Sequence, residues 1–142
     1  MILLDTNVIS ESMRQPDSNV VEWIDAQPVE TLFMSTITVA ELRYGIAAMP
    51  AGKRCDTLKM HLEDRLLPLF AGRVLPFDLS ASKAYADLMA RARGAGLAIG
   101  TADGYIAAIA SAHEFAVATR DTGPFKAAGL IVIDPWKTSI RA

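Results

Sequence analysis

Apolar residues fall along this chain in two rhythms. Short unbroken runs that end in polar residues read as buried strands, and longer stretches with apolar residues three and four apart read as helices. The first run, Met1-Ile2-Leu3-Leu4, gives way abruptly to Asp5-Thr6-Asn7. Comparable runs at Thr31–Met34, Arg73–Phe77, Phe115–Thr119 and Leu130–Ile133 bring the expected strands to five. A short helix is expected over Val8–Arg14, closed by a Pro16-Asp17 turn, and another over Ser18–Ala26, with Ser18 capping and Val20, Val21, Trp23 and Ile24 inward. Ser35-Thr36-Ile37-Thr38 should open a third over Val39–Ala48. Beyond the Met49-Pro50-Ala51-Gly52 linker, Leu58, Leu62, Leu66 and Leu69 mark the apolar stripe of a helix ending at Pro68–Gly72. Two more are expected at Asp78–Arg93, capped by Asp78 or Ser80 and stopped by Gly94-Ala95-Gly96, and at Thr101–Ala112, rich in small residues. Trp136–Ala142 is read as a tail.

Strands alternating with helices predict an α/β fold: a central, mostly parallel five-stranded sheet with helices on both faces. The 142 residues suit one domain spanning 1–142, with the last strand and tail at 131–142. No apolar run is long enough to cross a bilayer, and the chain opens on a strand rather than a basic cleavable leader, so a soluble cytoplasmic protein without membrane contact is expected. Cys55 stands alone, and His61 and His113 are the only histidines, which leaves no zinc spacing and requires any metal to be held by oxygen. The net charge of −2 argues against nucleic-acid binding by a bulk positive field. If Asp5, Glu41, Asp103 and Asp121 sit on a cation, however, the remainder carries +2, so a phosphate-bearing substrate stays open. Most of the cations in the basic stretch from Arg43 to Arg73 read first as the solvated face of a helix.

Those four acids are the candidate chemistry. Asp5 and Asp121 follow strands, while Glu41 and Asp103 enter the early turns of helices. In an open parallel sheet, ligands bind outside the carboxyl ends of the strands, so the four converge if the first and fourth strands are neighbours. Hard oxygen ligands without Lys or His suit Mg²⁺ or Mn²⁺, which can activate water for in-line attack on a phosphodiester. Each acid also has a purely structural explanation. Asp5 could cap a helix, Thr38-Val39-Ala40-Glu41 matches a capping box, Asp103 suits a first helical turn, and Asp121-Thr122-Gly123 reads as a turn. Caps, though, have no reason to share one rim.

Asp5-Thr6-Asn7, Ser35-Thr36-Ile37-Thr38-Val39-Ala40-Glu41-Leu42, Ala102-Asp103-Gly104-Tyr105-Ile106-Ala107-Ala108 and Ala118-Thr119-Arg120-Asp121-Thr122-Gly123 together resemble the four acidic blocks of PIN-domain ribonucleases. More narrowly they are similar to the VapC toxins of bacterial type II toxin–antitoxin pairs, in the FitB-like subgroup, whose Leu-Pro-Leu-Phe-Ala-Gly-Arg stretch is echoed at Leu67 to Arg73. The resemblance runs from Met1 to about Trp136. It implies a Mg²⁺- or Mn²⁺-dependent endoribonuclease, a homodimer, a VapB-like antitoxin that covers the groove, and operator DNA contacted only through that antitoxin. Asp5 and Asp103 would be principal metal ligands, Asp121 a further ligand, and Glu41 a ligand or water-orienting base; Thr6, Asn7 and Thr119 would support them. Many relatives carry another acid where this chain has Pro124, which leaves one ligand fewer for a second ion.

Other readings compete. A receiver domain needs an aspartate after the third strand, where Pro76-Phe77 stands, and a phosphatase using an Asp-x-Asp pair fails because Thr6-Asn7 follows Asp5. The serious rival is a catalytically weak module whose acidic rim docks a basic antitoxin segment.

Overall fold

A computed structural model describes residues 1–14 and 17–138; Pro16 of the expected turn and 139–142 of the tail lie outside the described residues. Five strands, β1 (Ile2–Leu4), β2 (Leu32–Ser35), β3 (Val74–Leu75), β4 (Ala116–Ala118) and β5 (Val132–Ile133), form a sheet in the order β3-β2-β1-β4-β5. Every pairing is parallel. β1 lies at the centre, against β2 on one side and β4 on the other, with Leu4 opposite Ala118. The neighbour relation on which the convergence of acids depended is therefore present.

Between the strands run α1 (Thr6–Ser12), α2 (Ser18–Ala26), α3 (Thr36–Ala47), α4 (Lys53–Met60), α5 (Leu67–Leu69), α6 (Leu79–Gly94), α7 (Thr101–His113) and α8 (Thr122–Ala127). The pleat sends successive strand residues to opposite faces, which divides the core in two. Leu4, Met34 and Ala118 join Val8, Trp23, Leu42, Ile46 and Leu62 on one face. Leu3 and Val117 join Leu88, Ile106, Ile109 and Phe125 on the other. Small residues let α7 approach α6: a Cβ built on Gly104 would stand 3.1 Å from Met89 Sδ and 3.1 Å from Tyr85 Cε2. That contact fixes the position of the neighbouring Asp103.

Several expectations are corrected. Helices α1 and α3 begin at Thr6 and Thr36, earlier than expected, because Asp5 and Ser35 occupy their cap positions. Asp17, rather than Ser18, caps α2 by accepting the Asn19 N–H at 2.8 Å. The stripe through Leu58, Leu62 and Leu66 continues to Phe70 at 4% exposure, while Leu69 is 55% exposed. Between α4 and α5 the helix passes through a π-helical turn, His61–Leu66, where the Leu67 N–H reaches Leu62 O. The wider turn keeps residues four apart on one face, and it precedes Pro68, which lacks the N–H an α-helix would use. Arg73, the last cation of the basic stretch, does not share a solvated helix face and is half-buried: its guanidinium donates to the carbonyls of Val29, Leu32 and Leu69 and lies over the Phe70 ring. Helix α8 was not expected, since Gly123-Pro124 reads as a breaker. Both fall in its first turn, where backbone N–H groups have no partner inside the helix and proline is tolerated. No helix among the described residues is long and apolar enough to cross a membrane.

Candidate active site

The rim is built where β1 and β4 end side by side. Asp5 N–H donates to Ala118 O at 2.9 Å, which extends the ladder by one residue and delivers the carboxylate to the junction at 4% exposure. Oδ1 accepts the Thr6 N–H at 2.8 Å; Oδ2 accepts the Thr119 hydroxyl at 2.8 Å and, more weakly, Asn7 Nδ2 at 3.5 Å. Thr119 is fully buried, and its oxygen accepts Asn7 Nδ2 at 3.2 Å and the Asp121 N–H at 3.1 Å. Asn7 Oδ1 accepts the Arg120 N–H at 3.2 Å, so Asn7 and Thr119 tie the end of β4 to the end of β1. Asp5 stands at the cap position of α1 but bonds only the adjacent N–H, not the deeper ones a cap residue usually satisfies.

Glu41 is not in a capping box. With Ser35 as cap, whose Oγ accepts the Thr38 N–H at 3.0 Å, Glu41 lies in the second turn of α3, past the position from which it could reach back. Its Oε1 instead accepts the Thr6 hydroxyl at 2.8 Å, which binds α3 to the rim. Asp103 sits in the first turn of α7, and Asp121 at the cap position of α8 makes no side-chain cap bond. The structure thus brings all four acids to one end of the sheet. It adds the hydroxyls of Ser35 and Thr38, which line up behind Glu41.

A profile of the PIN domain matches residues 2–130. The chain belongs to the PIN-domain family. The VapC ribonuclease Y4jK of Sinorhizobium fredii is 64% identical over 96% of this chain and 99% of its own length. Toxin FitB of Neisseria gonorrhoeae is 53% identical over 96% and 99%. The crystal structure of FitAcB from Neisseria gonorrhoeae superposes with a TM-score of 0.94 at 52% identity, covering 97% of this chain and 100% of that one.

In this PIN domain the rim is electrostatically crowded. Burial pushes the Asp5 carboxyl up to about 6, against the Thr119 and Thr6 hydrogen bonds that favour its anion, and the charges of Asp103 and Glu41 push the same way. Asp103 is also raised, by burial first and then by Asp121 and Glu41. Among the described residues no Lys or Arg forms an ion pair with any of the four acids; the ion pair the structure does hold, Arg43 with Glu63, joins α3 to the π-helical turn. Nor do three of the acids close into a ready metal cage among the described residues. In donor type the set fits a hard divalent cation: oxygen ligands only, two of them raised by burial and then by like charge, and the Asp103 and Asp121 carboxylates without a hydrogen-bonding partner among the described residues. The PIN domain's Pro124, half-buried in the first turn of α8, adds no carboxylate.

Proposed function

We propose that the chain is a Mg²⁺- or Mn²⁺-dependent endoribonuclease, acting in the cytoplasm as the toxin of a toxin–antitoxin pair. The observation that carries this reading is the buried Asp5 carboxylate at the β1–β4 junction, held by three donors, crowded by Asp103 and Glu41, and given no compensating cation by the described residues. Asp5, Asp103 and Asp121 would hold the ion, with Glu41 beside them as ligand or base. A divalent cation bound there supplies Lewis acidity that lowers the pKa of water and offsets charge on a phosphodiester. The chain's own residues supply order. Thr119, Asn7 and the Thr6 N–H fix both oxygens of Asp5, so no rotamer search precedes binding. Glu41, restrained by Thr6, is available to take a proton from the attacking water.

The relatives named VapC ribonuclease and Toxin FitB support both halves of the reading, nuclease and toxin. The partners proposed with it are RNA as substrate, a VapB-like antitoxin, a second copy of the chain in a homodimer, and operator DNA reached only through the antitoxin. The superposition on FitAcB supports a shared assembly. The test is cleavage of RNA by the purified chain. EDTA should abolish it, Mg²⁺ or Mn²⁺ should restore it, and Asp5→Asn should lack it under all conditions. Undiminished turnover in chelator, with contaminating nuclease excluded, overturns the metal-dependent mechanism.

The open spacing of the acids favours one second reading, in which the rim docks a basic antitoxin segment and catalysis is weak. The planar fork of an arginine suits a cluster of carboxylates. This version expects no cleavage by wild type with either metal, together with antitoxin binding that is lost when the antitoxin's basic C-terminal residues are removed.

A further inference from the structure

Two buried hydroxyls lie behind Glu41, outside the set of acids. Thr38 is fully buried, with Oγ1 3.0 Å from Thr6 Oγ1 and 3.4 Å from Ser35 Oγ. Ser35 is equally buried, and by accepting the Thr38 N–H it does the ordinary work of a helix cap. Thr38 has no such explanation. A helical threonine commonly returns its hydroxyl to a carbonyl of the preceding turn, whereas this one reaches across to α1. Packing alone would favour valine there, which has the same shape and no polar atom to bury.

Each hydroxyl has a single proton, and that fixes the order of donation. The Thr6 proton goes to Glu41 Oε1 at 2.8 Å, so the contact between Thr6 and Thr38 must use the Thr38 proton. With Thr38 committed, the proton of Ser35 serves the remaining contact. Ser35, Thr38, Thr6 and Glu41 therefore form a one-way chain that ends on a carboxylate oxygen. Glu41 is exposed and carries a flexible stem, so its orientation depends on what holds its head. We infer that Thr38 is a positioning residue of the rim: it orients the Thr6 hydroxyl and thereby holds the Glu41 carboxylate toward the acidic site. What the held carboxylate does rests on the nuclease reading, whereas the chain of hydroxyls does not.

The experiment uses the full chain with Thr38→Val, Thr38→Ser, Glu41→Gln and the Thr38→Val/Glu41→Gln double variant. Three quantities are read: cleavage of a quenched mixed-sequence RNA oligonucleotide with Mg²⁺, the thermal midpoint, and the ¹³C resonance of the Glu41 carboxyl in metal-free protein. Thr38→Val should lower cleavage about 10- to 100-fold, as loss of a residue supporting a metal ligand does. It should keep the fold and shift the Glu41 resonance, while Thr38→Ser should restore both values. In the Glu41→Gln background, Thr38→Val should cost nothing further, because residues that act through one group are not additive. Additive loss in the double variant overturns the inference, as does wild-type cleavage with an unmoved resonance in Thr38→Val. Full activity in Glu41→Gln would remove Glu41 from the reaction instead, and the resonance alone would then decide whether Thr38 positions it. Should Thr38→Val fail to fold, Thr38→Ala, which cannot overcrowd the core, takes its place with the same expectations.

Discussion

Asp17 and Asp78 stand immediately before helices, and so do Asp5 and Asp121, yet the two pairs do different things. At α2 and α6 the carboxylates turn inward onto their own helices, Asp17 to the Asn19 N–H at 2.8 Å and Asp78 to the Ala81 N–H at 2.9 Å. Both sites are open to solvent, and the acid is used up in satisfying helix donors. At the rim, Asp121 caps nothing with its side chain, and Asp5 divides its oxygens between the adjacent N–H and a fully buried threonine from the neighbouring strand. Residue type and position relative to the helix are the same. The difference lies in the sheet, because only Asp5 and Asp121 follow adjacent central strands at their carboxyl ends. An acid before a helix is used up as a cap when the helix is its only neighbour; at the rim, Asp5 feels the charges of Asp103 and Glu41 as well.

The widest separation between the two groups should be in activity. If cleavage runs through the rim, Asp103→Asn should lower kcat/KM by ~10²–10⁴, the range expected when a group that manages charge or protons at the reacting centre is lost. Asp78→Asn should leave kcat/KM as it is, since asparagine caps a helix as well as aspartate does. Both variants should melt close to wild type. Equal activity in all three proteins would erase the distinction between rim and cap.

Stability against pH separates them next. A carboxyl whose folded pKa lies above its unfolded value binds more protons in the folded state, so it weakens the fold as pH rises between the two values. For Asp5, raised from 3.8 to about 6, the metal-free protein should lose roughly 2–3 kcal/mol across that window and nothing more from this group above it. Asp103, raised as well, adds in the same direction. Asp5→Asn should flatten most of the slope. At neutral pH in EDTA it should exceed wild type by about 1 kcal/mol, as relaxed active sites do, because the amide's misplaced donor beside Thr119 offsets part of the relief. Mg²⁺ should then stabilise wild type far more than the variant. Denaturation at pH 4, 5, 6 and 7.5 in EDTA measures this, and stability that rises steadily with pH across the window would contradict it.

How much of this was legible before the fold was known follows from which information is local. Periodicity found every strand, because apolar runs ending in Asp5, Ser35 or Thr119 announce themselves, and the strand-then-helix alternation implies the parallel sheet. Positions that depend on a partner were harder to read. The Thr38–Glu41 spacing matches a capping box perfectly well, and only the start of α3 at Thr36 shows that the box is not formed. Helix α8 stayed hidden because glycine and proline stop most helices, though not within a first turn. The burial of the Arg73 guanidinium could not be read locally, since its three carbonyl partners come from Val29, Leu32 and Leu69, two of them some forty residues earlier. The hydroxyls of Ser35 and Thr38 were visible, but nothing local says that a buried threonine on α3 will meet Thr6.

The smallest expected effect is the sharpest comparison, because it sets two residues in the same cap position against each other. Asp78→Ala removes a made hydrogen bond and should cost α6 about 1 kcal/mol. Asp121→Ala removes no cap bond, since the carboxylate makes none, and it also relieves the charge felt at Asp103. Its effect on the metal-free midpoint should be near zero or slightly favourable. In Mg²⁺ the order should reverse: Asp78→Ala keeps the full stabilisation by the ion, and Asp121→Ala loses part of it along with activity. Melting curves of the two alanine variants, with and without Mg²⁺, make the comparison directly. A loss of about 1 kcal/mol in Asp121→Ala without metal, equal to that in Asp78→Ala, would mean that Asp121 holds α8 in solution, and the acid at the end of β4 would belong with the caps.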